Sequence, residues 1–232
     1  MTDRIEYFDG DTALTGLLYR PTGTPRAAVA VFPTIMNQGG SVLDKAQSLA
    51  DAGYLAFVAD FYGENPVDFD QSREFAAKIR GTAEDFRRRL RAGLKAMVSI
   101  HGVSNLPLLA IGFCMGGAAV LELARDGAPL EAVVSFHGLL GTDLPAEPGK
   151  VAARILVCHG DADPMVPRSQ VISFWEEMDA AGANWHFHSY SGVKHGFTNP
   201  NSPPGNPAVG YDASADRQSW AAMHELFNEV LG

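Results

Sequence analysis

Cysteine is scarce in this chain: 232 residues hold two, Cys114 and Cys158. That is too few for a disulfide framework, and their contexts, a glycine-flanked turn and the end of an apolar run, read as two independent thiols. Long hydrophobic runs are also missing, since none approaches the roughly 20 apolar residues that a membrane-crossing helix needs. Basic charge is in deficit. Eighteen Lys and Arg against 27 Asp and Glu leave a net charge of −9, without the basic footprint that nucleic acid or an anionic membrane surface requires of a partner. The first residues, Met1-Thr2-Asp3-Arg4-Ile5-Glu6, carry neither the basic region nor the apolar stretch of a secretory signal, so a cytoplasmic location is the expectation. Internal repeats are absent, and the one stretch resembling low complexity, residues 199–207, is short enough to be an ordered loop near a site.

What is present is ordinary in bulk and specific in pattern. With 46% hydrophobic and 19% charged residues, the chain is expected to form one α/β domain over residues 1–232. Residues 5–8 and 14–19 flank Asp9-Gly10-Asp11 and read as an antiparallel hairpin. Beyond them, apolar runs of strand length at 27–32, 55–59, 108–111, 132–136, 154–158 and 185–190 alternate with helical patterns. Those helices are expected near 42–52, 82–100, 118–124, 169–181 and 213–231, with Gly53 and Gly182 placed to end two of them. Such alternation predicts a mostly parallel sheet of about seven or eight strands covered by helices on both faces. The basic cluster Arg87-Arg88-Arg89-Leu90-Arg91 lies beside an apolar stripe of Phe86, Leu90, Leu94, Met97 and Val98 and reads as a solvated helix face.

Gly112-Phe113-Cys114-Met115-Gly116-Gly117 carries the chemistry. A buried strand precedes it and a good helix former follows, which is the setting of a nucleophile elbow. At such a turn only small residues fit two positions before and after the nucleophile, and Gly112 and Gly116 stand there. Cys114 then sits at a helix N-terminus, where backbone N–H groups and the helix dipole favour a thiolate or an oxyanion. Cys158, at the end of a buried run, reads as a small core hydrophobe.

A cysteine nucleophile needs a base, and the base needs a group to fix its tautomer. His159-Gly160-Asp161-Ala162-Asp163-Pro164-Met165-Val166-Pro167 and Gly192-Val193-Lys194-His195-Gly196-Phe197 each follow a strand, at the carboxyl end where open α/β sheets build their sites. Asp163 is taken as the orienting carboxylate and Asp161 as a loop cap accepting backbone N–H bonds. His195 is taken as the base by its position. His186 and His188 alternate with Trp185 and Phe187 on a strand, His101 and His224 lie in or beside helices, and His137 ends a strand as a candidate for either a substrate contact or a structural role. The chain order nucleophile, acid, histidine is that of α/β-hydrolases.

With these motifs in this order and spacing, the chain resembles the dienelactone hydrolase family of the α/β-hydrolase fold over nearly its whole length. The resemblance implies Cys114 as nucleophile, Asp163 as acid and His195 as base. It also implies an oxyanion hole from the backbone N–H groups of Met115 and of Ile35, in the loop after the third strand. Two departures stand out. The family has a glutamate beside the resting thiol where this chain has Thr34, and an arginine for the substrate carboxylate a few residues after the histidine, where this chain has Phe197-Thr198-Asn199. Arg73 and Arg80 are alternative anion anchors or helix-surface residues. Thr34, Phe113, His137 and Asn199 are the candidate substrate contacts. The segment 61–80, with Tyr62, Phe69 and Phe75, is the candidate for substrate-facing variation.

The expected activity is hydrolysis of a small ester or lactone by acyl transfer through a thioester on Cys114, in a monomer or homodimer, with no metal or organic cofactor. A different class of function, a redox or electrophile sensor or a binding module, needs an accessible low-pKa thiol but no acid–base triad.

Overall fold

The N-terminal hairpin forms because short alternating segments meet at Gly10, whose φ of 58° closes the turn. It comprises β1 (Thr2–Asp9) and β2 (Thr12–Tyr19). The computed structural model describes residues 2–232. After the hairpin come β3 (Ala28–Phe32), α1 (Gly40–Asp51), β4 (Leu55–Val58), α2 (Phe69–Ile79), α3 (Ala83–Val98), β5 (Leu108–Phe113) and α4 (Met115–Arg125). The chain then continues through β6 (Ala132–Phe136), β7 (Arg154–Gly160), α5 (Arg168–Ala181), β8 (Trp185–Tyr190) and α6 (Ala213–Leu231).

The strands make one eight-stranded sheet in the order β1-β2-β4-β3-β5-β6-β7-β8. The β1-β2 and β2-β4 pairs are antiparallel and all others parallel. Every residue of β3, β4 and β6 is buried, which explains why β3 and β4 are continuously apolar, and β6 apolar but for Ser135, rather than alternating: helices cover both faces. Phe32, Phe57 and Val133 pack with Leu90, Met97 and Phe174 of α3 and α5 on one face. Val29, Val31 and Ile111 pack with Leu49 of α1 and Phe227 of α6 on the other. The mostly parallel, doubly covered sheet agrees with the sequence expectation.

Two features differ from it. Helix α2 had no strong apolar period to announce it, because only Ser72 and Ala76 are buried; Asp68 starts it by accepting the Gln71 N–H. The basic cluster is not a solvated face. Arg87 and Arg89 are buried, Arg87 pairing with Glu122 at 2.8 Å and Arg89 with Asp9 at 2.7 Å. Arg88 alone of the first three is well exposed, and it also reaches Asp9. Their partners lie on α4 and β1, so the guanidinium groups tie α3 to neighbours distant in sequence. Removing one member of such a buried pair costs about 3–5 kcal/mol.

Candidate active site

Cys114 follows β5 directly and caps α4 with φ 56° and ψ −115°, a conformation that costs a non-glycine residue about 1–3 kcal/mol. Close approach of backbone around the turn fixes it there. A methyl group on Gly112 would lie 1.8 Å from the Gly116 carbonyl oxygen, and one on Gly116 would lie 2.0 Å from the Phe32 carbonyl oxygen. The glycine spacing in the sequence is therefore the sequence image of three backbone segments in contact. The strained turn lifts the thiol out of the sheet to half-buried exposure at the start of α4.

His195 lies in the loop after β8, in a bridge to Val209. Its Nδ1 is 2.7 Å from Asp163 Oδ2, and both residues are buried. Asp163 Oδ1 accepts the Met165 N–H at 2.8 Å, which holds the carboxylate toward the ring. Asp161 does not act as the expected loop cap: its carboxylate pairs with Arg168 through two hydrogen bonds of 3.0 and 2.7 Å.

Charge couples the sulfur to the imidazole. Burial alone would raise the Cys114 thiol, but His195 and the N–H groups of Met115 and Ile35 outweigh it and bring the thiol below its ordinary value. Burial likewise disfavours the His195 cation, yet Asp163 and the thiol together push that imidazole up to about 10. His195 Nε2 is buried and makes no hydrogen bond of ordinary geometry among the described residues; the thiol and the imidazole shift each other through close approach and charge, and such contacts commonly tighten once substrate binds.

The loop after β3 brings Ile35 to the sulfur, and its scaffold was not legible in the sequence. Asn37, buried at φ 59°, donates from its side chain to Asp60 Oδ1 at 2.8 Å and accepts the Phe61 N–H at 3.0 Å. Asp60 further accepts the N–H groups of Thr15, Tyr62 and Gly63 at 2.9 Å each. Tyr62 Oη donates to the Ile35 carbonyl at 3.1 Å, so this aromatic holds the loop. Thr34 Oγ1 accepts the Met36 N–H at 3.2 Å, so this side chain is engaged in a local turn of the loop.

These groups open on a cavity of about 560 Å³. Its wall contains Thr34, Ile35, Phe113, Cys114, Met115, His137, His195 and Asn199; Asp163 lies behind His195, away from the cavity. Phe69 and Arg80 also reach the wall, whereas Phe75 packs on Tyr62 with ring centres 5.3 Å apart. Ser202, Pro203 and Asn206 bring the 199–207 loop to the wall. Lys45 lines the cavity too, with its charge spent on Asp216 at 2.7 Å. Cys158 is fully buried, and burial pushes its thiol up to about 12.

An eight-stranded, mostly parallel sheet with a cysteine elbow at the end of a central strand defines an α/β-hydrolase. More specifically, the chain belongs to the dienelactone hydrolase family, whose model matches residues 14–231. It is accordingly a hydrolase of ester or lactone bonds. A crystal structure described as a dienelactone hydrolase-like promiscuous phosphotriesterase from metagenomic libraries superposes with a TM-score of 0.94 at 34% identity, covering 100% of this chain and 99% of that one. An uncharacterized protein of Caenorhabditis elegans is 42% identical over 149 residues, 62% of this chain and 92% of that protein. A Bradyrhizobium sp. protein named as a probable 2-oxo-3-(5-oxofuran-2-ylidene)propanoate lactonase is 29% identical over 193 residues, 78% of this chain and 77% of its own. No described helix is long and apolar enough to cross a membrane.

Proposed function

We propose that the protein hydrolyses a small ester or lactone through a covalent thioester on Cys114, with His195 as general base and acid and Asp163 as its orienting carboxylate. The observation that carries this reading is the arrangement at one cavity wall: a thiol with a lowered pKa, two backbone N–H groups directed at it, and an imidazole held by a carboxylate at 2.7 Å.

In the first half-reaction the Cys114 thiolate attacks the carbonyl carbon. The carbonyl oxygen takes the negative charge and accepts hydrogen bonds from the N–H groups of Ile35 and Met115, each such donor being worth about 2.7–4 kcal/mol in the transition state. As the tetrahedral intermediate collapses, the C–O bond to the leaving group breaks and the His195 imidazolium gives that oxygen its proton. The neutral imidazole then takes a proton from water, the hydroxide adds to the thioester carbon, and the C–S bond breaks to release the acid and restore the thiolate–imidazolium pair. For a lactone both products remain one molecule, a hydroxy acid.

The cavity volume of about 560 Å³ suits a small ligand. The test is a screen of lactones and small esters against wild type, Cys114→Ala and Cys114→Ser. Turnover that disappears in Cys114→Ala supports the reading. Unchanged turnover in that variant removes the thiol from the mechanism, and a protein that shows oxidation or electrophile adducts at Cys114 with no turnover of any ester or lactone is a thiol sensor instead.

A further inference from the structure

We propose that His137 is a positioning residue: by hydrogen-bonding both the nucleophile elbow and the loop that carries His195, it sets the approach of the thiol to the imidazole. This rests on the reading of Cys114 and His195 given above.

His137 directly follows β6, next to β5 in the sheet, and turns back at φ 41°, in the left-handed region that a non-glycine residue enters only at a cost. It is 2% exposed, and neither ring nitrogen is left for a ligand. Nδ1 accepts the backbone N–H of Cys114 at 3.1 Å, an N–H also shared with the Phe136 carbonyl at 3.1 Å. An accepting Nδ1 places the proton of the neutral ring on Nε2, which then donates to Thr198 Oγ1 at 2.9 Å. Thr198 is buried and stands three residues beyond His195 in the same turn. The ring also packs edge-on against His195, with centres 5.1 Å apart, and against Phe197 at 5.2 Å. One imidazole therefore contacts the nucleophile's own peptide, the base and the base's loop.

Its chemistry suits positioning rather than proton transfer. The charged and titratable groups facing it are Cys114 from the elbow, His195 from the loop after β8 and Lys45 from α1. Burial first, then the charges of His195 and Lys45, hold it well below the ordinary histidine range. It stays neutral in one tautomer. Protonated, it would present an N–H at Nδ1 toward the Cys114 N–H and break the elbow contact.

The experiment compares wild type with His137→Ala, His137→Asn, Thr198→Val and the His137→Asn/Thr198→Val double variant. It measures kcat and KM on p-nitrophenyl acetate, the pH dependence of Cys114 alkylation by iodoacetamide, and thermal melting. The amide oxygen of asparagine can stand where Nδ1 stands, so His137→Asn keeps the elbow acceptor and loses the Thr198 link. His137→Ala should lower kcat by about 10- to 100-fold with KM little changed, as misplacement of reacting groups does, and should move the alkylation profile toward that of an ordinary thiol. His137→Asn should restore part of both, and Thr198→Val should cost nothing further in that background. A purely structural histidine would lower the melting temperature while leaving the alkylation profile and the kcat of the folded protein as in wild type, and that result overturns the proposal, as does equal loss from Thr198→Val in both backgrounds. If His137→Ala does not fold, the asparagine and valine variants decide the question alone. Turnover that survives Cys114→Ala would defeat the catalytic reading, whereas the alkylation profile needs only the thiol and still decides the role of His137.

Discussion

The two cysteines sit at the carboxyl ends of β5 and β7, with only β6 between those strands, yet their thiols move in opposite directions. Cys114 stands in a strained turn at the start of a helix, faced by an imidazole and two N–H groups, and its thiol is lowered despite burial. Cys158 continues a regular strand, fully buried, and its thiol is pushed up to about 12 with Tyr190 the only polar group that lowers it. Both are desolvated. What separates them is the backbone: a turn that aims one side chain at charged partners, and a strand that aims the other into the core. Reactivity in this fold is set by local geometry more than by residue type.

The contrast is broken most severely at Asp163. Asp163→Asn removes the carboxylate that supports the His195 cation, so the imidazole falls from about 10 and the cation that lowers the Cys114 thiol is lost at a lower pH than before. In steady-state assays kcat should drop by about 10⁴-fold, as it does when a triad carboxylate becomes an amide, and the Cys114 alkylation curve should shift to higher pH. In the wild type, iodoacetamide at neutral pH should modify Cys114 at least about 100-fold faster than Cys158, because only the thiolate reacts; peptide mass spectrometry after timed quenching reads the ratio. Equal rates would erase the contrast.

Smaller effects sharpen it. Gly116→Ala places a methyl group 2.0 Å from the Phe32 carbonyl oxygen and should destabilise the fold by about 1–3 kcal/mol or more in urea titrations, slowing Cys114 alkylation in the folded fraction while leaving Cys158 as it was. Cys158→Ala removes a buried sulfur that takes no part in the proposed chemistry. Its kcat should stay within about two-fold of wild type, with the loss confined to the melting temperature.

The parts of the molecule legible in the sequence were those whose cause is local. Buried parallel strands wrote themselves as apolar runs, Gly53 and Gly182 marked helix ends, and Gly112 and Gly116 marked the elbow because their missing side chains leave room for backbone. The parts not legible were pairings between distant residues. Arg87 and Arg89 look like a charged surface until Glu122 and Asp9 are brought to them, and the Asn37–Asp60 bond that holds the Ile35 loop joins two unremarkable polar residues. On the loop after β7 the sequence already singled out Asp163 as the carboxylate toward the histidine, whereas the pairing of its neighbour Asp161 with Arg168 became visible only in the fold. The two nitrogens of His137 are engaged by Cys114 and Thr198, neither of them adjacent in sequence.

The most direct measurement is the mass of the protein quenched in acid within the first turnovers on p-nitrophenyl acetate, followed by peptide mapping. The account predicts a burst of p-nitrophenol of about one equivalent, a mass gain of one acetyl group on Cys114, none on Cys158, and loss of the adduct as turnover proceeds. Turnover of the ester with no acyl group ever found on Cys114, or with the acyl group on Cys158, would contradict it.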